Sequence, residues 1–222
     1  MSENTNEYEL KIIKRSVKYA RICIKRDLSV SITVPHRFTK LQIRDLIDKK
    51  SGWINKHLEK LKQRIESIPK PVENSVLYLG EIFKVEHSSR GKNAFIVDRD
   101  NRIIYSGIST SENGAFENLL RNQARSIIED KLRVFSLIYG FSFNRVFIKA
   151  QKTRWGSCSS RKNLSFNWKL VHAPESVIEY VVIHELVHTI IPNHSKEFYN
   201  RVADIFPEWK NARKWLKNFS LS

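Results

Sequence analysis

The chain is short of cysteine, of long hydrophobic runs and of acidic residues, and each shortage excludes something. Its two cysteines, Cys23 and Cys158, are too few for the disulfide framework of a small secreted domain. No stretch reaches the roughly 18 consecutive apolar residues of a membrane-spanning helix, so no membrane partner is expected. The opening MSENTNEYEL lacks the basic and then apolar segments of a secretory signal. No internal repeat and no low-complexity segment is present. These absences together place the expected location in the cytoplasm. What remains is ordinary for a globular protein: 41% hydrophobic and 28% charged residues in a chain of 222, enough for one large domain or two small ones.

Acid is the scarcer charge. Against 23 Asp and Glu stand 39 Lys and Arg, a net charge of +16 spread along the whole chain without a homopolymeric tail. A surface this basic attracts polyanions, among which nucleic acid is the commonest. The competing reading is a solvated basic face, because charge by itself names no groove and no base-reading residue.

Hydrophobic periodicity predicts an α+β protein. The β-branched runs LKIIKRSV, ARICIKR and LSVSITVP, closed by Asp27 or Pro35, read as strands. Beyond Thr39, a suitable N-cap, apolar residues from Ile43 to Ile65 recur at helical spacing along one long helix. Pro69 to Ser75 reads as a connector. A second strand-rich patch spans VLYLGEIFKVEHS, NAFIVDRD and RIIYSG, and a second helix runs from Phe116 to a natural stop at Gly140. Two further strands, RVFIKAQ and NLSFNWKLV, are joined by KTRWGSCSSRK. Pro174 opens a helix through ESVIEYVVIHELVH that Pro192 must end or bend, Ser195 can cap the next, and Pro207 introduces the last. The expected organisation is a strand-rich N-terminal region with a long helix (1–110), followed by a catalytic region (111–222). In the latter a small sheet is backed by the helix carrying HELVH.

The chemistry concentrates in HELVHTIIPNH, His184 to His194. Histidines four residues apart on a helix share one face, so both imidazoles can reach a common ion. Glu185 projects about 100° round the helix, well placed for a water beside that ion and badly placed as a ligand. A catalytic zinc takes three protein ligands and leaves one position open. His194 can be the third if the chain turns back after His188, and Pro192 and Asn193 supply turn chemistry. The competing reading, ordinary histidines beside a buried helix, is costly, because buried imidazoles and a buried carboxylate need partners or a metal. Cys158 is an alternative ligand, although a lone cysteine is usually an inert small hydrophobe. Asn193, Glu197, Tyr199 and Asp204 are near enough in sequence to orient a ligand histidine.

The block from TRWGSCSSRKNLSFNW through HELVHTIIPNHSKEFYNRV, with FPEWKNARKWLK after it, resembles the YgjP-like zinc metallopeptidases. These are HExxH predicted metal-dependent hydrolases related to SprT/WLM-type and small gluzincin-like peptidases. Earlier KRSVKYARICIKRDLSVSITVP, SGWINKHLEKL and LYLGEIFKV resemble the family more loosely, so the likeness covers nearly the whole chain. It implies a zincin-like catalytic half, His184, His188 and His194 as Zn²⁺ ligands, Glu185 as the catalytic base, and a peptide or protein substrate. Ile191 stands where the metzincin pattern HExxHxxGxxH requires glycine, which excludes a metzincin. RWGSCSS reads as a loop beside the metal, with Gly156 allowing close backbone approach and Arg154 or Ser157 touching substrate. It reads equally as a hairpin turn whose Trp155 fills the core. The NLSFNW strand is a candidate edge on which a peptide lies extended. The leading function is a zinc-dependent metallopeptidase. The alternatives are a nucleic-acid-associated protein, acting on DNA-bound proteins, and an inactive metal-binding module; an intact Glu185 argues against the latter.

Overall fold

Short β-branched runs build three small sheets here, and five helices, two of them 27 residues long, cover or connect them. These features are those of a computed structural model that describes residues 8–25, 27–66 and 71–219. The class is α+β, as the sequence periodicity predicts. The chain divides into two compact units between Ile68 and Pro69. Pro69 and Lys70, which open the expected connector, lie outside the described residues, as does Arg26 of the second strand-like run. Ser111, the boundary expected from sequence, falls inside the second unit.

In the first unit β1 (Leu10–Arg15), β2 (Arg21–Ile24) and β3 (Val30–Pro35) form a sheet of order β1-β3-β2, with β1 parallel and β2 antiparallel to β3. Alternation sends Val30, Ile32 and Val34 to one face, where they are fully buried with Ile43, Ile54 and Leu58 of α1 (Lys40–Glu66). A capping box starts α1: the Gln42 N–H donates to Thr39 Oγ1 at 3.2 Å and the Thr39 N–H to Gln42 Oε1 at 2.9 Å.

The second unit opens with β4 (Ser75–Tyr78), β5 (Glu81–His87), β6 (Phe95–Asp98) and β7 (Ile103–Ser106), in the order β4-β5-β7-β6. The long helix α2 (Asn113–Tyr139) buries Phe116, Leu119, Leu120, Ala124, Ile128 and Leu132, one continuous stripe at helical spacing. Gly140, left-handed at φ 70°, ends it as expected. A third sheet holds β8 (Val146–Lys149), β10 (Leu164–Asn167) and β9 (Gly156–Cys158) in the order β8-β10-β9. Two expectations are corrected here. NLSFNWKLV does not continue as a strand, because the Asn167 side chain accepts the Lys169 N–H at 3.1 Å and turns Trp168–His172 into a 3-10 helix. Nor is NLSFNW an edge: β10 is the central strand, and the edge beside it is β9, inside the segment read as a connector.

Helix α3 (Glu175–Val187) is the centre of this unit. Nine of its residues are buried, Glu185 among them, and it packs on α2, β9, α4 (Lys196–Ile205) and α5 (Trp209–Asn218). Ser176, Glu175 and Glu179 at its first turns reach solvent, whereas Glu185 near its end is desolvated. Among the described residues no helix is long and apolar enough to cross a membrane.

Candidate active site

The end of α3 is built to reverse. The Thr189 hydroxyl donates to Leu186 O at 2.7 Å and the Ile191 N–H to Val187 O at 2.9 Å, closing the last turn ahead of Pro192. Asn193 Oδ1 then accepts the Ser195 N–H at 3.2 Å, and Ser195 caps α4 by accepting the Phe198 N–H at 3.3 Å. This brings His194 back over His184 and His188. The Nε2 atoms of His184 and His194 lie 3.0 Å apart, and those of His188 and His194 3.2 Å. Phe198, fully buried, floors the cluster, with its ring 4.3 Å from that of His188 and 4.8 Å from that of His184.

The three imidazoles converge on one point, and burial favours the neutral form of two of them. Burial and then the neighbouring His188 and His194 push the pKa of His184 down to about 3, and burial lowers that of His188. His188 Nδ1 sits 3.0 Å from Ile191 O; a carbonyl only accepts, so Nδ1 carries the proton and Nε2 presents a lone pair. With the proton of each ring on Nδ1, as Ile191 O holds it in His188, the three Nε2 lone pairs would meet at one point and favour a cation there. A tetrahedral zinc with Zn–N of about 2.0–2.1 Å has N···N edges of about 3.3 Å, close to the spacings here. The donor set therefore fits a zinc-sized ion. Among the described residues the donor cluster is His184, His188 and His194, and Cys158 does not belong to it.

Glu185 lies beside the cluster, turned toward β9. It is only 4% exposed, and its Oε2 has no hydrogen-bond partner among the described residues. Burial raises its pKa to about 8, against the opposing charge of Arg154. A Cβ on Gly156 would stand 2.8 Å from Glu185 Cδ and closer still to Oε1, so any side chain there would have to displace the carboxylate. Trp155 O accepts the Asn167 N–H at 2.8 Å and the Ser159 N–H reaches Asn163 O at 2.9 Å. By antiparallel alternation the Ser157–Ser165 pair is then also hydrogen-bonded, and Gly156 and Cys158 direct their N–H and C=O groups to the open edge. That edge runs past the Glu185 carboxylate.

The residues singled out from sequence thus divide. The three histidines, Glu185 and Gly156 come together. Arg154 is exposed and acts on Glu185 through its charge. The Ser157 side chain alternates to the sheet face opposite Gly156. Trp155 packs on the core and lies 5.8 Å from the ring of Phe219. Glu197 and Asp204 line a cleft whose walls include none of the three histidines. In their stead a backbone carbonyl, Ile191 O, orients His188, and the Tyr180 hydroxyl lies 3.5 Å from His184 Nδ1. Tyr180 precedes His184 by one turn and gives no sequence signal apart from that spacing. Asn167, fully buried, was equally silent; its Nδ2 donates to Gln151 O at 2.6 Å and Arg154 O at 3.2 Å, tying down the loop before β9.

The chain matches the YgjP-like metallopeptidase domain over residues 18–219. The crystal structure of the metallopeptidase zymogen abylysin of Pyrococcus abyssi is similar to it at 25% identity, over 40% of this chain and 90% of that one, with a TM-score of 0.37. The zymogen of Methanocaldococcus jannaschii jannalysin is similar at 28% identity, over 42% and 92%, with a TM-score of 0.34. No protein with a curated description matches the chain.

Proposed function

The chain belongs to the YgjP-like metallopeptidase family, and from that premise we propose that it hydrolyses peptide bonds with a single zinc ion, held by His184, His188 and His194, and Glu185 as general base. Membership makes it a metal-dependent hydrolase acting on peptides or proteins. The observation that carries the finer reading is three converging Nε2 atoms beside a buried carboxylate whose Oε2 lacks a partner among the described residues. A bound zinc ion supplies Lewis acidity, which acidifies water towards a pKa of about 7 and polarises a carbonyl.

The chain's own residues supply the rest. Ile191 O holds the proton of His188 on Nδ1 and keeps Nε2 basic. The free edge of β9 can pair with an extended peptide through Gly156 and Cys158, which aligns the scissile amide along the strand that passes Glu185. The Glu185 carboxylate accepts a proton from the attacking water and delivers it to the leaving amine nitrogen. Its desolvated site suits the first half of that transfer, because a raised pKa makes the carboxylate a stronger base.

The test is metal content and turnover on a peptide library. Wild type should bind one zinc per chain and cleave. Glu185→Gln should keep the zinc and lose about 10²–10⁴-fold in kcat. A Glu185→Gln variant as active as wild type, or a protein that binds no zinc, would overturn the proposal.

A further inference from the structure

The first 68 residues carry sixteen of the chain's 39 Lys and Arg against eight Asp and Glu, and the sheet decides where part of that charge points. We propose that the open face of the β1-β3-β2 sheet binds nucleic acid through its phosphate backbone, with Lys11, Arg15 and Arg21 as the contacts. The pairing register fixes which side chains share that face. Lys11 pairs with Ser31 and Ser31 with Cys23; Ile13 pairs with Thr33 and Thr33 with Arg21; Arg15 pairs with Pro35. Rows in register point the same way, opposite to the rows of Val30, Ile32 and Val34 that pack on α1. Lys14 marks the other side, where its ammonium donates to Phe38 O at 2.8 Å.

Lys11, Arg15, Arg21 and Cys23 are exposed, and Ser31 and Thr33 are half-buried, so the face is open and its floor is shallow. Among the described residues none of Lys11, Arg15 and Arg21 has an ion-pair or hydrogen-bond partner, whereas Lys49 of α1 is paired to Asp45 at 2.8 Å. The next row holds Glu9, Ser29 and Lys25, placed by the Val30 N–H to Glu9 O and Lys25 N–H to Ser29 O bonds, and Lys25 lies beside Asp27. The positive excess is therefore in the rows from Lys11 to Arg15. Four residues of strand put Lys11 and Arg15 about 13 Å apart, and Arg21 stands two strands from β1, about 10 Å across. Along a duplex axis that length presents roughly seven phosphate charges.

The chemistry of the floor selects the ligand. Protein partners are held by buried aromatic and apolar anchors; among the described residues the rows from Lys11 to Arg15 offer a half-buried Ile13 among small polar residues, and Tyr19, just ahead of β2, is exposed beside Lys18. Single-strand readers stack bases on aromatic rings, and the rows from Lys11 to Arg15 contain none. What remains is a flat set of unpaired cations that phosphates can approach closely, which makes the binding independent of sequence and sensitive to salt.

The experiment uses the full chain and fluorescence anisotropy with a 20-base-pair DNA duplex, an RNA duplex of equal length, phosphatidylserine vesicles and polyglutamate. The triple variant Lys11→Gln/Arg15→Gln/Arg21→Gln is compared with Arg90→Gln/Lys92→Gln/Arg161→Gln, which removes equal charge from exposed sites of the second unit. The sheet variant should bind duplex about tenfold or more weakly, with a salt slope smaller by about 2 to 3, while the control stays within about twofold of wild type. Arg15→Lys/Arg21→Lys should keep the affinity, and a circular-dichroism melt should show the sheet variant folded. Binding to DNA, to RNA or to both supports the proposal. Equal losses in the two triple variants overturn it, as does tighter binding of vesicles or polyglutamate than of either duplex.

Discussion

Gly156 and Glu185 occupy each other's space: the carboxylate lies where a Cβ on residue 156 would be, 2.8 Å from Cδ. The edge strand and the buried acid are thereby locked in register. Gly156→Ala must displace one of them. A shift of about 1 Å at a reacting group can cost about 10²-fold, so kcat/KM should fall by about that factor. Zinc stoichiometry should stay unchanged, because the three histidines do not touch residue 156. Unchanged turnover in the alanine variant would show that the close approach of Gly156 does not position Glu185.

Metal and folding are coupled if the histidine cluster holds an ion only in the native state. At a free zinc concentration about a thousandfold above Kd, binding adds about 4 kcal/mol to stability. A chelator should therefore lower the melting temperature and abolish activity together, and zinc should restore both. His194→Ala should melt like the chelated wild type and show no response to added zinc. A melting temperature indifferent to the chelator would contradict the coupling.

Asn167 has no exposure and satisfies three backbone groups, accepting from Lys169 and donating to Gln151 O and Arg154 O. Asn167→Ala leaves those groups unpaired in a buried place. The expected loss is about 2–3 kcal/mol in chemical denaturation, with a raised KM because the loop leading into β9 loosens. Asn167→Asp should fail as well, since a carboxylate cannot donate to two carbonyls.

His172 gives the fold a pH dependence of known sign. Its Nδ1 donates to Leu77 O at 2.5 Å, and burial holds its pKa below the ordinary 6.5. The unfolded chain then binds the proton more readily than the folded one. Stability from this group is complete above pH 6.5 and is lost as pH falls below it, by at most about 1.4 kcal/mol per pH unit. His184 and His188 act in the same direction, so the contribution of His172 is the difference in slope between wild type and His172→Gln. Denaturation midpoints at pH 7.5 and 5.5 that change equally in both proteins would remove His172 from this account.

Much of this was legible in the chain because it depends on local chemistry. The period of Phe116 to Leu132, the stop at Gly140 and the Ser195 cap are decided within a few residues, and each appears where its pattern places it. The spacing of His184, Glu185 and His188 is likewise a property of one helix. The strand β9 was hidden because three residues, Gly156 to Cys158, carry no alternation; pairing with β10 makes them a strand. NLSFNW looked like an edge because strand order is not written in any single strand.

The sequence by itself determined the α+β class, the order of the helices and the spacing of His184, Glu185 and His188 on one of them, since these follow from side-chain period, capping and residue type. Only the tertiary structure decided that His194 closes to 3.0 Å on His184, that Glu185 is sealed under Gly156, and that Tyr180, Ile191 O and Asn167 stand around the site. The physical reason is distance along the chain. Gly156 and Glu185 are 29 residues apart, and what brings them into contact is the packing of α3 on β9. Burial of that kind sets how strongly a carboxylate is desolvated, and no local pattern encodes it.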